Sequence, residues 1–307
     1  MNTRAPCQIS VIIVNYNTAH LLGPCLRSIA SEKGAALEVV VVDNASEDHS
    51  VELVKTEFPW VTLITNKTNL GFARANNQAL KVSRGDYIHF LNPDTVVQEG
   101  LYKRMISFMD AHPEIGLAGT KVLNPDHSLQ SSVQRHYPGE RHTTRELKGL
   151  KGDIAWVMGA SMIGRRALME ALGGFDGRFF LYGEDVDLCL RVRKAGWAIG
   201  YIGDAAVVHW GGQSERNNLP LEVWEKKLEA EFLFYRTHYA DRTIRRIERK
   251  DLIQALWRIL TLKLSLLLSS HRDARLDKLE KYQLVAKKIR SGQCRTRRDP
   301  TARRGSP

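Results

Sequence analysis

The sequence predicts an α/β fold with a mainly parallel central sheet flanked by helices, followed by a C-terminal helical extension. Over the first 120 residues, short continuous β-branched runs alternate with helix-like stretches. That is the habit of strands buried on both faces and joined by crossover helices. The charge is also split along the chain. Residues 240–307 carry 19 Lys and Arg against 7 Asp and Glu, whereas residues 1–239 hold 26 basic and 27 acidic groups, so the formal net charge of +11 belongs to the C-terminal end. Finally, 43% hydrophobic and 26% charged residues in a chain of 307 suffice for a substantial core. This composition excludes wholesale disorder, collagen and a disulfide miniprotein.

In order, strands are expected at 9–14, 39–42, 61–64 and 87–91, each an apolar run such as Val39-Val-Val-Val42. Helices are expected at 21–30, 50–58 and 72–82. The pattern degrades over 121–153 into polar residues, Pro and His, which reads as a long mobile connection, a flap over the site. Structure resumes at 154–159, with a helix over 185–195 and two short strands at 198–202 and 205–209. Residues 219–239 read as an amphipathic helix, 255–268 as a strongly apolar segment, and the stretch to 290 as a charged helix. Residues 291–307, basic and containing Gly and Pro, read as disordered.

Cys7, Cys25, Cys189 and Cys294 form no C-x-x-C pair, which favours a reducing, cytoplasmic compartment. No secretory leader and no run of about 18 apolar residues is seen. Neither G-x-G-x-x-G after the first strand, nor a P-loop, nor H-E-x-x-H occurs.

In parallel sheets the ligand lies beyond the carboxyl ends of the strands, so Asn15-Tyr-Asn17, Asp43-Asn-Ala-Ser46 and Asn92-Pro-Asp-Thr95 are the segments to read. Asp43, after four valines, suits either an acceptor for a nucleotide's base or ribose or the cap of the next turn. Asp94 projects past a proline. One such carboxylate suffices for a hard cation that keeps waters and substrate phosphates, although taken alone a plain Asn-Pro-Asp turn is the favoured account. Glu184, Asp185 and Asp187 open a helix, where the dipole favours acids. Asp187, four residues before Arg191, reads as half of an exposed ion pair. Asp185, if walled by Phe179, Phe180 and Tyr182, would be a suitable general base. His209 ends an apolar run and is of interest only in company. Gly71 and Ala75 share a helical face that permits close approach, from which Arg74 and Asn77 could reach a nucleotide, Arg74 being equally a surface residue.

Together these segments resemble the family 2 glycosyltransferases of the GT-A (nucleotide-diphospho-sugar transferase) fold. The carriers are Ser10-Val-Ile-Ile-Val-Asn-Tyr-Asn17, Val42-Asp-Asn-Ala-Ser46, Asn69-Leu-Gly-Phe-Ala-Arg-Ala-Asn-Asn77, Leu91-Asn-Pro-Asp-Thr95, Trp156-Val-Met-Gly-Ala160, Gly174-Phe-Asp176, Gly183-Glu-Asp-Val-Asp187 and Val208-His209. The wording is most similar to the rhamnosyltransferase branch, which extends cell-surface polysaccharides. The resemblance implies a catalytic domain over residues 1–215; the residues beyond it read as a helical extension at 216–290, which associates with membrane or packs on the domain or a dimer partner, and a basic tail at 291–307. The resemblance also implies Asp185 as catalytic base and Asn15, Asn17, Asp43, Arg74, Asn77 and Asn92 around the donor nucleotide. Trp156, Gly159 and Glu184 would line the sugar and acceptor pocket. Asp94 and His209 would hold Mg²⁺ or Mn²⁺, with Asn92 standing where the family's first acid of D-x-D is expected.

The implied reaction is inverting transfer of a sugar, rhamnose among the candidates, from a nucleoside-diphosphate donor to a glycan or polyprenyl-linked acceptor. It would take place in the cytoplasm or at the inner face of the plasma membrane. The 257–268 segment is too short and too charged to span a bilayer but suits its interface, and a homodimer is left open. Two alternatives remain: a sugar-nucleotide pyrophosphorylase, which would want a glycine-rich basic loop after the first strand, and a nucleic-acid binder acting through the basic tail. The second is disfavoured because the tail lacks aromatic-basic interleaving, so no nucleic-acid partner is expected.

Overall fold

A computed structural model of the chain describes residues 7–211, 220–267 and 273–292. The chain divides into two compact units, 1–137 with 149–216, and 138–148 with 217–307. The expected tail at 291–307, with Cys294, falls almost wholly outside the described residues, as does the 212–214 end of the family-like stretch.

The first unit is built on an eight-stranded sheet. Strands β1 (Ile9–Asn15), β2 (Leu37–Asp43), β3 (Thr62–Thr65) and β4 (Tyr87–Leu91) alternate with helices α1 (Ala19–Ala30), α2 (Ser50–Glu57) and α3 (Phe72–Leu80). All seven residues of β1 and all five of β4 are buried, as continuous apolar runs require of strands covered on both faces. There follow β5 (Thr95–Val97), α4 (Leu101–Ala111), β6 (Ile115–Leu123), β7 (Val133–Gln134), β8 (Trp156–Val157), β9 (Ser161–Arg165), α5 (Arg166–Ala171), α6 (Glu184–Lys194) and β10 (Ala198–His209). The sheet order is β3-β2-β1-β4-β9-β6-β10-β5, with β7 and β8 pairing separately. β1, β2, β3 and β4 run parallel, β9 runs antiparallel to both β4 and β6, and β10 runs parallel to β6. The carboxyl ends of β1, β2, β4 and β10 and the start of β9 therefore share one edge.

Two expectations are corrected here. β10 is one strand of 12 residues rather than two; a register irregularity between Ile202 and Ala206 marks the apparent break. β6 carries the sheet to Leu123 inside the stretch read as a flap. Beyond it, Asn124 and Ser128 close a hydrogen-bonded turn and Val133–Gln134 pairs with Trp156–Val157. Residues 121–137 are thus fixed to the first unit, whereas 138–148 belong to the second.

The second unit comprises a short 3₁₀ turn at Glu140–His142 and helices α7 (Pro220–His238), α8 (Asp241–Leu267) and α9 (Asp273–Arg290). Helix α8 begins 14 residues before the apolar stretch the sequence emphasises. Phe234, Tyr235 and Tyr239 form an aromatic cluster, with Tyr235 and Tyr239 stacked at 5.6 Å. The cluster lies against Gly139, where any Cβ would meet Ile247 at 2.6 Å. Tyr239 Oη donates to the Pro138 carbonyl at 2.6 Å, and Glu146 accepts from Thr243 Oγ1 at 2.5 Å. No described helix is long and apolar enough to cross a membrane.

Candidate active site

At the ends of β1 and β2, register pairs Asn15 with Asp43. Asn15 Nδ2 donates to Asp43 Oδ2 at 3.0 Å and to Ser46 Oγ at 3.1 Å, and Asn15 Oδ1 accepts from Thr18 Oγ1 at 2.7 Å. Asn15 is fully buried and its amide is occupied at both ends. It braces two strand ends, which corrects its expected place against a nucleotide. Asp43 Oδ1 accepts from the Ser46 backbone N–H at 3.0 Å, forming a tight turn. This is the turn-capping role weighed for Asp43 from the sequence; beside it, Asp48 accepts from the Ala19 and Ser50 N–H groups. Asn17 is exposed, at φ +54°, and its Oδ1 accepts from the Glu47 N–H.

Past β4, the Asn92 N–H donates to the Ala160 carbonyl, and Asn92 Nδ2 lies 3.4 Å from His209 Nε2. Pairing of β10 with β5 sets His209 opposite Thr95, which brings its Nε2 to 3.4 Å from Asp94 Oδ1. On the far side of the ring, Nδ1 lies 2.8 Å from Gln130 Oε1. A glutamine carbonyl there accepts a hydrogen bond from Nδ1–H, the tautomer that leaves Nε2 as the lone-pair nitrogen facing Asp94. Among the described residues, no group of three or more His, Cys, Asp or Glu comes together for a metal. The Asp94 and His209 pair still fits a divalent cation of the Mg²⁺ or Mn²⁺ kind, which takes one or two protein ligands and completes its shell with phosphate oxygens and water. Gln130, in the stretch read as a flap, carried no sequence signal.

At the start of α6, Gly183 adopts φ +80°, turning the chain so that Glu184 and Asp185 face inward. Asp185 Oδ2 accepts from the Gly159 N–H at 3.1 Å and Oδ1 from the Val186 N–H at 2.8 Å. A Cβ at Gly159 would stand 3.5 Å from Asp185 Cβ, an ordinary contact distance. Burial raises the Asp185 carboxyl above the usual range against these two hydrogen bonds. Glu184 is 8% exposed, and its Oε2 is buried without a hydrogen-bond partner. Burial, with the Asp185 charge second, pushes it up to about 8. Asp187 is corrected: its carboxylate is fully buried and bonds Arg191 Nε at 2.7 Å, so the pair braces α6 inside the protein. Trp156 is half-buried, its indole N–H donating to the His136 carbonyl at 3.2 Å.

Arg74 and Asn77 make contacts that the sequence did not signal. Asn77 Oδ1 accepts from the Phe175 N–H at 2.8 Å and its Nδ2 donates to the Phe175 carbonyl at 2.7 Å, while Arg74 Nε donates to the Gly177 carbonyl. Both tie α3 to the 174–177 loop, and Asn77 keeps one Nδ2 hydrogen and one Oδ1 lone pair outside these bonds. The close approach read from Gly71 is realised against Phe180: the Phe72 N–H donates to the Phe180 carbonyl at 2.7 Å, and a Cβ on Gly71, at φ +81°, would stand 2.6 Å from that oxygen.

A continuous path of contacts thus runs along the sheet edge, from Asp94 and His209 through Asn92 to Ala160, Gly159 and Asp185. Asn15 stands one strand away, since β1 pairs β4 with Ile13 opposite Leu91, and Asp43 two strands away at the end of β2.

The family model for glycosyl transferase family 2 matches residues 10–173. The N-acetylglucosaminyl-diphospho-decaprenol L-rhamnosyltransferase of Mycobacterium tuberculosis is 26% identical over 231 residues, 66% of this chain and 75% of that protein. The amylovoran biosynthesis glycosyltransferase AmsE of Erwinia amylovora is 24% identical, over 64% and 73% respectively. Among solved structures, the mannosyltransferase PcManGT of Pyrobaculum calidifontis, in complex with GDP-Man and Mn²⁺, is similar with a TM-score of 0.58 at 20% identity, covering 95% of this chain and 86% of that one. Staphylococcus aureus TarS 1-349 in complex with UDP-GlcNAc gives a TM-score of 0.54 at 18% identity, covering 93% and 92%. These likenesses carry the GT-A fold.

Proposed function

The chain belongs to glycosyl transferase family 2, and from that premise we propose that it transfers a sugar, with inversion, from a nucleoside-diphosphate donor to a hydroxyl of a glycan or polyprenyl-linked acceptor in cell-surface polysaccharide synthesis. Membership of a transferase family sets aside the pyrophosphorylase alternative. The rhamnosyltransferase relative supports a deoxyhexose donor and a lipid-linked acceptor. The free thiols of Cys7, Cys25 and Cys189 are in keeping with a reducing compartment and so with the cytoplasmic side of the membrane.

The observation that carries this reading is Asp185, a carboxylate raised by burial and held at the sheet edge by the Gly159 N–H. Each of its oxygens takes one backbone hydrogen bond and keeps a lone pair for a further donor. An acceptor hydroxyl placed there gives its proton to Asp185 as its oxygen attacks the anomeric carbon. The bond from that carbon to the diphosphate breaks on the opposite face, and the nucleoside diphosphate leaves with the electron pair. Asp94 and His209 would hold Mg²⁺ or Mn²⁺, which when bound neutralises charge on the departing diphosphate. Gln130 keeps the imidazole oriented and Asn92 flanks it. Asp43, with its Ser46 turn, stands at the end of β2, two strands from β4, for the nucleoside, and Trp156 and Glu184 border the acceptor side.

The test is Asp185→Asn. Transfer should fall about 10²–10⁴-fold, the usual contribution of a general base, while calorimetric binding of nucleoside diphosphate is retained. Turnover within a few-fold of wild type would refute the assignment.

A further inference from the structure

Helix α8 presents two kinds of surface along a single outward face. At about 100° per residue, Arg242, Arg246 and Arg249 project on the same side as Ile253, Trp257, Leu260 and Leu264, within an arc of about 100° that also takes in Leu256. The three arginines are exposed, and the apolar side chains are too: Ile253 60%, Trp257 63%, Leu260 52% and Leu264 53%. On the opposite side, Ile244, Ile247, Ala255 and Leu262 are buried, and Arg258 stacks over Tyr282 of α9. Among the described residues of the second unit, the helix is therefore covered on one side. The apolar half of its open face, from Ile253 to Leu264, extends about 17 Å at 1.5 Å per residue.

We propose that this face of α8 docks on an anionic lipid surface, the apolar half entering the headgroup boundary and the arginine half meeting lipid phosphates. This deepens the reading given under Proposed function by naming how the enzyme meets a lipid-linked acceptor. Charge complementarity selects the occupant. The face is basic at one end and apolar at the other, and residues 240–307 carry 12 more positive than negative charges. A lipid interface offers both chemistries side by side. A second copy of the chain does not match. Antiparallel pairing of this face would set arginines against leucines, and parallel pairing would set arginines against arginines. Nucleic acid would leave the apolar row in water.

The test is sedimentation of the full chain with vesicles of phosphatidylcholine, alone or mixed with phosphatidylglycerol. Wild type should bind the mixed vesicles and lose binding as salt is raised. Trp257→Ser with Leu260→Ser should weaken binding by at least about tenfold. Arg246→Gln and Arg249→Gln should each weaken it about fivefold. All these variants should transfer sugar to a short water-soluble acceptor at the wild-type rate. Absence of binding to anionic vesicles, or binding indifferent to these substitutions, would overturn the proposal. So would a dimer in light scattering that the serine pair converts to monomer without any vesicle effect. Vesicle binding without transfer to any acceptor would instead refute the proposed function and leave this surface standing.

Discussion

Glu184→Gln separates a buried charge from the shape that carries it. Glu184 Oε2 has no hydrogen-bond partner, and burial together with the Asp185 charge raises the carboxyl from 4.5 to about 8. The folded state therefore holds the proton more tightly than the unfolded chain. Below pH 4.5 both states are protonated and the shift is without effect. Between 4.5 and about 8 the unfolded chain releases the proton and the folded protein does not, so stability falls as pH rises, by up to about 1.4 kcal/mol per pH unit. The full shift corresponds to at most about 5 kcal/mol. Because part of it is shared with Asp185, roughly 2–5 kcal/mol is expected of Glu184. Glutamine keeps the shape and carries no charge. Glu184→Gln should match wild type near pH 4.5 and exceed it progressively up to pH 8.5, with a Tm gap of roughly 5–15 °C at the alkaline end for a unit of this size. Urea unfolding and thermal melts across that range measure it. Parallel pH profiles of the two proteins would refute the burial of an ionisable Glu184.

Three further outcomes follow from the site. Asp94→Ala should weaken both transfer and Mn²⁺-dependent binding of nucleoside diphosphate, measured by calorimetry with and without the cation; unchanged cation dependence would remove Asp94 from the donor set. The rate of transfer should rise with pH through a limb above the ordinary aspartate range, since the Asp185 carboxyl is raised by burial and must be ionised to accept a proton; a limb near pH 4 would contradict the geometry. Gly71→Ala should cost roughly 1–3 kcal/mol in urea unfolding, because the new methyl meets the Phe180 carbonyl at 2.6 Å from a left-handed backbone.

The sequence made legible what rests on continuous apolar runs. β1, β2 and β4 stand out because they are buried on both faces, and the polar residues that follow each run lie at the edge where parallel strands end. The middle of the sheet was harder to read. β6 reads Ile-Gly-Leu-Ala-Gly-Thr, and glycines within a run suggest a loop. In the fold these glycines admit neighbours: a Cβ at Gly119 would meet Val157 at 2.7 Å, and one at Gly116 would meet Leu168 at 2.6 Å. Strand propensity gave way there to close packing. The depth of Asp187 escaped detection for a related reason. An acid four residues from an arginine looks the same in sequence whether it faces water or the interior. Only the packing around α6 decides.

The same limit explains which edge residues were misread, and it suggests a way to tell braces from reactive groups. Every polar side chain at this edge brings a fixed hydrogen-bonding capacity, and the fold draws on that capacity unevenly. Asn15, fully buried, has both amide hydrogens on Asp43 and Ser46 and its oxygen on Thr18. A ligand could engage that side chain only by breaking structure. Asp185 takes one backbone N–H on each oxygen, and Glu184 leaves one oxygen with no partner at all. Carboxylates kept buried with acceptor capacity unspent raise the free energy of the folded chain. That cost falls here on two adjacent acids at the mouth of the sheet, where a substrate hydroxyl could relieve it. The residues that least help the chain to fold are therefore the ones to which the chemistry should be assigned.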